Sequence, residues 1–284
     1  MPPILNTGVI IPILKKSTLD PNVANNYRPI TLSSTHGKLI ELLIMPSDGA
    51  HANQFGFRPG RGTAMACSFL NDLLQYCQFN ESPVFLCSLD AEKCFDTIWH
   101  DGLFYKLIDV LPSSHWLYLY RLYKCMECVV RWDGVHSKSF GVYRGTKQGS
   151  ILSPTLFNIF IDDLLKQLSQ CNAGIRIDND LFNSFAYADD VNLWSLSTVD
   201  LQRLIDICFQ YSKTWRFTFG IKKTACMIVG KSPFLDTPVW KLGHQDIAVV
   251  DQLEILGTIF TSSLSCNAHV DKRCQASKRA MYTL

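Results

Sequence analysis

Apolar positions along the chain fall into two kinds of pattern, short continuous runs and stretches with a three-to-four residue repeat. Val84-Phe85-Leu86-Cys87-Ser88-Leu89 belongs to the first kind, reads as a buried strand, and ends at Asp90. Gly8 to Leu14 and Thr224 to Val229 also read as strands, the latter after a break at Gly220 and Lys222-Lys223. The second kind carries Leu156, Phe157, Phe160, Leu164 and Leu168, with Ser153 as the expected N-cap and Pro154 at the first helical position. Ser197 likewise caps a helix bearing Leu201, Leu204, Ile205 and Cys208. Further helices are predicted from about Thr35 to Met45, from Ala64 to Cys77, around Leu103, Leu107 and Leu111, and from Trp116 to Cys125. Asp133-Gly134 between two strand-like segments is a hairpin signal. This order of elements predicts an α+β fold, an antiparallel sheet backed by helices.

One polar interruption stands out. In Phe185-Ala186-Tyr187-Ala188-Asp189-Asp190-Val191-Asn192-Leu193-Trp194, two adjacent carboxylates sit between two apolar strand-like stretches, at the apex of a predicted hairpin. Like charges side by side repel, and a divalent cation in front of them would relieve that repulsion. Hard carboxylate oxygens suit Mg²⁺ or Mn²⁺. Aspartate is also common in solvated turns, so these residues alone leave both readings open. Asp90 is equally open between a strand-end cap and a ligand. If its strand neighbours the hairpin, three carboxylates converge on one edge, where two cations about 4 Å apart could serve phosphoryl transfer.

Composition narrows the choice. At 284 residues and 47% hydrophobic the chain can bury a large core. A formal charge of +2 leaves nucleic-acid binding to local clusters. No apolar run reaches the ~18 residues of a membrane span, and Met1-Pro2-Pro3-Ile4-Leu5-Asn6 lacks the layout of a signal peptide. Eleven scattered cysteines fit reduced thiols in an intracellular protein. Cys125 and Cys128, and the grouping Cys266, His269 and Cys274, are taken as structural, since nothing in the sequence brings the two clusters together.

The motifs then meet a known family. Asp90-Ala91-Glu92-Lys93-Cys94-Phe95-Asp96 resembles the first catalytic motif of reverse transcriptases. Gln148-Gly149-Ser150 with Ser153-Pro154-Thr155-Leu156-Phe157-Asn158 is similar to the second, and Tyr187-Ala188-Asp189-Asp190 to the third. Upstream, Tyr27-Arg28-Pro29-Ile30 and Gln54-Phe55-Gly56-Phe57-Arg58 resemble the fingers of non-LTR (LINE-type) retrotransposon polymerases. The likeness runs from about Val9 to Ile259.

The resemblance implies a right-hand polymerase fold: fingers at about 1–82 and 114–140, palm at about 83–113 and 141–262, and a basic tail at 263–284 that could begin a thumb. It implies RNA-directed DNA synthesis with dNTPs, an RNA template, a DNA primer and two Mg²⁺ ions, replaceable by Mn²⁺. Asp90, Asp189 and Asp190 become the catalytic metal ligands, and Lys223 the acid that protonates the leaving pyrophosphate. Lys15, Lys16 and Arg28 match positions that hold the triphosphate. Gln148 matches the loop facing the nascent base pair. Phe95, by default a core aromatic, takes the place beneath the incoming sugar, where its ring would clash with a 2′-hydroxyl. Arg58, Gly149, Leu256 and Gly257 match template and primer contacts.

The pattern also departs from the family. Ile255 stands where many relatives carry an aromatic residue, and the segment between Met45 and Gln54 is short. The end at Leu284 leads to the expectation of a truncated chain with the thumb largely missing and no endonuclease. Two alternatives are an RNA-dependent RNA polymerase, opposed by Phe95, and a silent remnant that only binds nucleic acid. A nuclear location follows only by analogy, and the oligomeric state is not legible.

Overall fold

Strand β1 (Thr7–Leu14) runs antiparallel to β2 (Tyr27–Leu32), pairing Val9 with Leu32 and Leu14 with Tyr27. A computed structural model describes residues 7–46, 49–231 and 236–282; the opening Met1-Pro2-Pro3-Ile4-Leu5-Asn6 lies outside them. Two units emerge. The first covers the described residues of Met1–Ala50, Lys93–Ile161 and Trp215–Phe217; the second covers His51–Glu92, Asp162–Thr214 and Thr218–Leu284.

Along the chain, α1 (Thr35–Leu43) and α2 (Thr63–Phe79) precede the central strand β3 (Val84–Asp90). Three short helices follow, α3 (Cys94–Thr97), α4 (His100–Lys106) and α5 (Ser113–Lys124). Then come β4 (Glu127–Trp132), β5 (Val135–His136), β6 (Phe140–Gly141) and the long α6 (Ser153–Gln170). Strands β7 (Ile175–Ile177), β8 (Asp180–Phe182), β9 (Ser184–Tyr187) and β10 (Asp190–Ser195) lead to α7 (Thr198–Thr214) and β11 (Ala225–Val229). The remainder is β12 (Lys241–Leu242), β13 (Gln245–Asp246), β14 (Ala248–Val249), β15 (Gln252–Ile255), β16 (Thr258–Thr261) and α8 (Asn267–Met281).

In the first unit, β1 lies between antiparallel β2 and parallel β4, and β4 also pairs with β5 and β6. The predicted hairpin at Asp133-Gly134 forms. Both residues have positive φ, 47° and 80°, the conformation that matches strand twist in a two-residue loop. Ser34 caps α1 through its Oγ, which accepts from the Gly37 N–H at 3.1 Å. The helix expected around Leu103, Leu107 and Leu111 stops at Lys106. All three leucines are still buried, because hydrogen-bonded turns from Leu107 N to Leu103 O and from Leu111 N to Leu107 O keep the same face inward. Ser153 is the first residue of α6 rather than the cap before it, and its hydroxyl donates to the Lys147 carbonyl at 2.9 Å.

In the second unit the sheet order is β14-β11-β3-β10-β9. Val84, Phe85, Leu86, Cys87 and Leu89 of β3 are all nearly inaccessible, as the continuous apolar run requires of a strand covered on both sides. On one face Leu86, Phe185, Trp194, Met227 and Val229 pack with Leu70, Leu73 and Leu74 of α2 and with Leu253 and Phe260 of the β15–β16 hairpin. Helix α7 lies against β3 and β10, burying Leu201, Leu204, Ile205 and Cys208. The eleven cysteines are free thiols. Cys87 and Cys226 are cross-strand neighbours in the core, whereas Cys125, Cys266 and Cys274 are exposed. No described helix is long and apolar enough to cross a membrane.

Candidate active site

Asp90 ends β3 and Asp190 begins β10, and the antiparallel register places them directly opposite one another. Asp190 also pairs with Tyr187, which leaves Ala188 and Asp189 as a two-residue turn. Ala188 adopts φ 54°, a conformation an L-residue takes rarely, and the Asp189 carbonyl accepts from the Ala91 N–H at 3.3 Å. Three carboxylates therefore meet at one end of the sheet, as the predicted hairpin and strand would have them. Burial, followed by the charges of Asp189 and Asp90, pushes the Asp190 carboxyl up to about 6; Lys223 opposes that rise only in part.

Lys223 joins this cluster from a separate turn. Gly220 N–H donates to the Asp90 carbonyl at 2.8 Å, and the Gly220 carbonyl in turn accepts from the N–H groups of Lys223 and Thr224 and from the Thr224 hydroxyl. This turn brings Lys223 Nζ to 2.8 and 2.9 Å from the two carboxylate oxygens of Asp90. The hydrogen bond to Asp90, reinforced by the charges of all three aspartates, raises the lysine's pKa, so it stays protonated.

The donor set suits a hard divalent cation. Among the described residues no three His, Cys, Asp or Glu side chains are gathered closely enough to hold a metal ion by themselves. That is compatible with Mg²⁺, which takes one or two carboxylates and completes its shell with water and substrate phosphates. Burial is the largest cause of the rise at Asp190, and the lesser part contributed by Asp189 and Asp90 is the part that a cation would relieve.

Gln54 is the contribution that sequence reasoning missed. Its side chain is 1% exposed, and its Oε1 accepts from the N–H of Ala188 at 3.0 Å and of Gly56 at 2.8 Å. Arg58, expected at the template, donates to the carbonyls of His51 and Gln54 in its own loop. Leu256 and Gly257, with φ 52° and 82°, form the turn between β15 and β16. His269 Nδ1 accepts from Ile259 N–H at 3.4 Å, and α8 buries no side chain.

The first unit gathers another set. Phe95 is half-buried with its ring centroid 4.9 Å from that of Phe157. Gln148 Nε2 donates to Asp96 at 2.7 Å while its carbonyl accepts from Thr31 N–H at 2.6 Å. Thr146 N–H donates to the Phe95 carbonyl at 2.7 Å, so the glycine-rich strap is stitched to both β2 and the segment after Lys93. Gly149, at φ 110°, lies where an added Cβ would come within 2.8 Å of the Thr31 carbonyl. Lys15, Lys16 and Arg28 are exposed on or just beyond the β1–β2 pair, and Lys15 Nζ donates to the Asn25 carbonyl.

Residues 13–260 match the family model of the reverse transcriptase (RNA-dependent DNA polymerase). The chain belongs to that family. Its relatives include the RNA-directed DNA polymerase from mobile element jockey of Drosophila funebris, 28% identical over 93% of this chain and 30% of that protein. The Pol polyprotein from the type-2 retrotransposable element R2DM of Drosophila melanogaster is 27% identical over 87% of this chain and 25% of its own length. Both belong to non-LTR retrotransposons, as the motifs implied. The chain thus spans about a third or less of these relatives. Telomerase from Candida tropicalis, in complex with a fragment of telomeric RNA, superposes with a TM-score of 0.60 at 12% identity. That alignment covers 93% of this chain and 45% of the telomerase, and it establishes the polymerase fold.

Proposed function

We propose that this chain is the nucleotidyl-transfer portion of an RNA-directed DNA polymerase of a non-LTR retrotransposon, adding dNTPs to a DNA primer on an RNA template. The observation that carries the reading is the cross-strand opposition of Asp90 and Asp190 with Asp189 in the adjoining turn. Asp90, Asp189 and Asp190 would hold Mg²⁺, or Mn²⁺ in its place. When bound, two such ions would lower the pKa of the primer hydroxyl and neutralise charge on the triphosphate.

In the reaction the primer 3′-oxygen bonds to the α-phosphorus, the bond to the bridging oxygen breaks, and pyrophosphate leaves. The Lys223 ammonium, kept charged by Asp90, is the chain's proton source for that leaving group. In the first unit, Lys15, Lys16 and Arg28 act as cations toward the triphosphate. Phe95 excludes the 2′-hydroxyl, with its ring braced against Phe157. Gln148, fixed by Asp96, and Gly149 face the nascent base pair. Arg58, Leu256 and Gly257 are assigned to template and primer as family positions only. Partners are therefore RNA template, DNA primer and dNTPs, and the nucleus is the place where such an element would work.

The test is primer extension on an RNA template with Mg²⁺ and dNTPs. Incorporation by the parent and none by Asp189→Asn supports the reading. Salt-dependent nucleic-acid binding without incorporation by the parent would replace it with a binding remnant.

A further inference from the structure

The turn that carries Asp189 depends on a residue 134 positions upstream. Segment Asn53 to Phe55 pairs with Ala186: the Phe55 N–H donates to the Ala186 carbonyl at 2.8 Å, and the Ala186 N–H donates to the Asn53 carbonyl at 2.9 Å. From this segment the Gln54 side chain reaches on to the next turn residue and accepts from Ala188 N–H. Because both neighbours of Oε1 are N–H donors, only the oxygen end of the amide satisfies them, which fixes its orientation. Gly56 lets the two backbones approach: a Cβ there would lie 2.3 Å from Ala188 N. The amide, the β-bridge and the missing Cβ all act on one residue, Ala188, held at φ 54° beside Asp189.

We infer that Gln54 is a positioning residue for the carboxylate pair. By holding the left-handed conformation of Ala188 it sets the direction in which Asp189 and Asp190 leave the turn. The inference rests on the metal-dependent reading above and adds to it the group that orients the ligands from behind. Partners of this kind usually influence metal affinity 10–100-fold. A glutamate at this position would supply the same acceptor but bring a further negative charge close to Asp189 and Asp190.

The experiment measures Mn²⁺ affinity of the full chain by electron paramagnetic resonance at pH 8, with circular dichroism to follow folding. Four proteins are compared: the parent, Asp189→Asn, Gln54→Leu, and Gln54→Leu combined with Ala188→Gly. Gln54→Leu should bind Mn²⁺ about 10–100-fold more weakly. Adding Ala188→Gly should recover part of that loss, because glycine adopts positive φ without help. Parental affinity in a folded Gln54→Leu protein would overturn the inference and leave the metal reading standing. No recovery in the double variant would assign Gln54 to packing and likewise overturn it. A parent that binds no better than Asp189→Asn would remove the metal reading and the inference with it. If Gln54→Leu does not fold, Gln54→Glu decides by hydrogen exchange. A protected Ala188 amide with Mn²⁺ affinity within about threefold of the parent is expected from the retained acceptor. An unprotected amide with parental affinity would overturn the inference.

Discussion

Asp190 is the direct cross-strand partner of Asp90, so the last step of the β3–β10 ladder sets two carboxylates face to face. Like charges in that relation destabilise a sheet. The arrangement is therefore a place where stability is given up for a concentration of negative charge at one sheet end.

That sacrifice has a pH signature. The fold keeps the Asp190 proton up to about pH 6, while the unfolded chain releases it near the ordinary 3.8. Between those values the folded state binds more protons, so Asp190 lowers stability as pH rises through this window and contributes a constant penalty above it. Asp190→Asn should therefore melt higher than the parent at pH 7–8 without divalent metal. The gap should close as pH falls from about 6 toward 4. Thermal melts across pH check this, and a gap independent of pH would contradict it.

Asp189→Asn removes a carboxylate but almost no volume from a turn residue that is half-buried. Nucleotide addition should fall by at least ~1000-fold, the scale seen when a major electrostatic contributor is lost, with the melting temperature within a few degrees of the parent. Steady-state primer extension beside a thermal melt separates the two effects.

Lys223 competes with any cation for Asp90, because its Nζ faces both carboxylate oxygens. The lysine is 70% exposed, which limits the pair to about 1 kcal/mol or less. Lys223→Met should accordingly tighten Mn²⁺ binding in the absence of nucleotide by about two- to fivefold while slowing incorporation. Titration calorimetry gives the first quantity and single-turnover extension the second. Weaker Mn²⁺ binding would show that the lysine does not oppose the cation.

Phe95→Ala should admit ribonucleotides, measured as the ratio of kcat/KM for dNTP and rNTP. The ring also packs at a tilt against Phe157, so the variant should lose about 2 kcal/mol of stability. Unchanged discrimination in a folded variant would rule out the steric gate.

The elements that carry the carboxylates were legible because their signals are local. A continuous apolar run ending in Asp90, and two strand-like stretches around Asp189-Asp190, need only nearest neighbours to be read. The same holds for Asp133-Gly134, whose left-handed pair is dictated by the turn itself. What stayed hidden depends on distant contacts. Nothing near Gln54 announces that its amide will serve Ala188, and nothing near Asp96 announces Gln148. The same is true of Arg58, whose hydrogen bonds to the His51 and Gln54 carbonyls tie down its own loop. The helix through Leu111 ended early although its periodicity was right, since hydrogen-bonded turns keep leucines four apart on one side just as a helix does.

The distribution of thiols gives the chain its own clock. An alkylating reagent meets Cys125, Cys266 and Cys274 at once, while Cys87 and Cys226, adjacent in the core, react only when the sheet or the helix α7 packed on it opens. Burial also holds the Cys87 thiol well above its ordinary range, suppressing the reactive thiolate in the closed state. Because β3 ends in Asp90, the modification rate at those two positions times how often the layers that carry the carboxylates open, with no foreign label introduced.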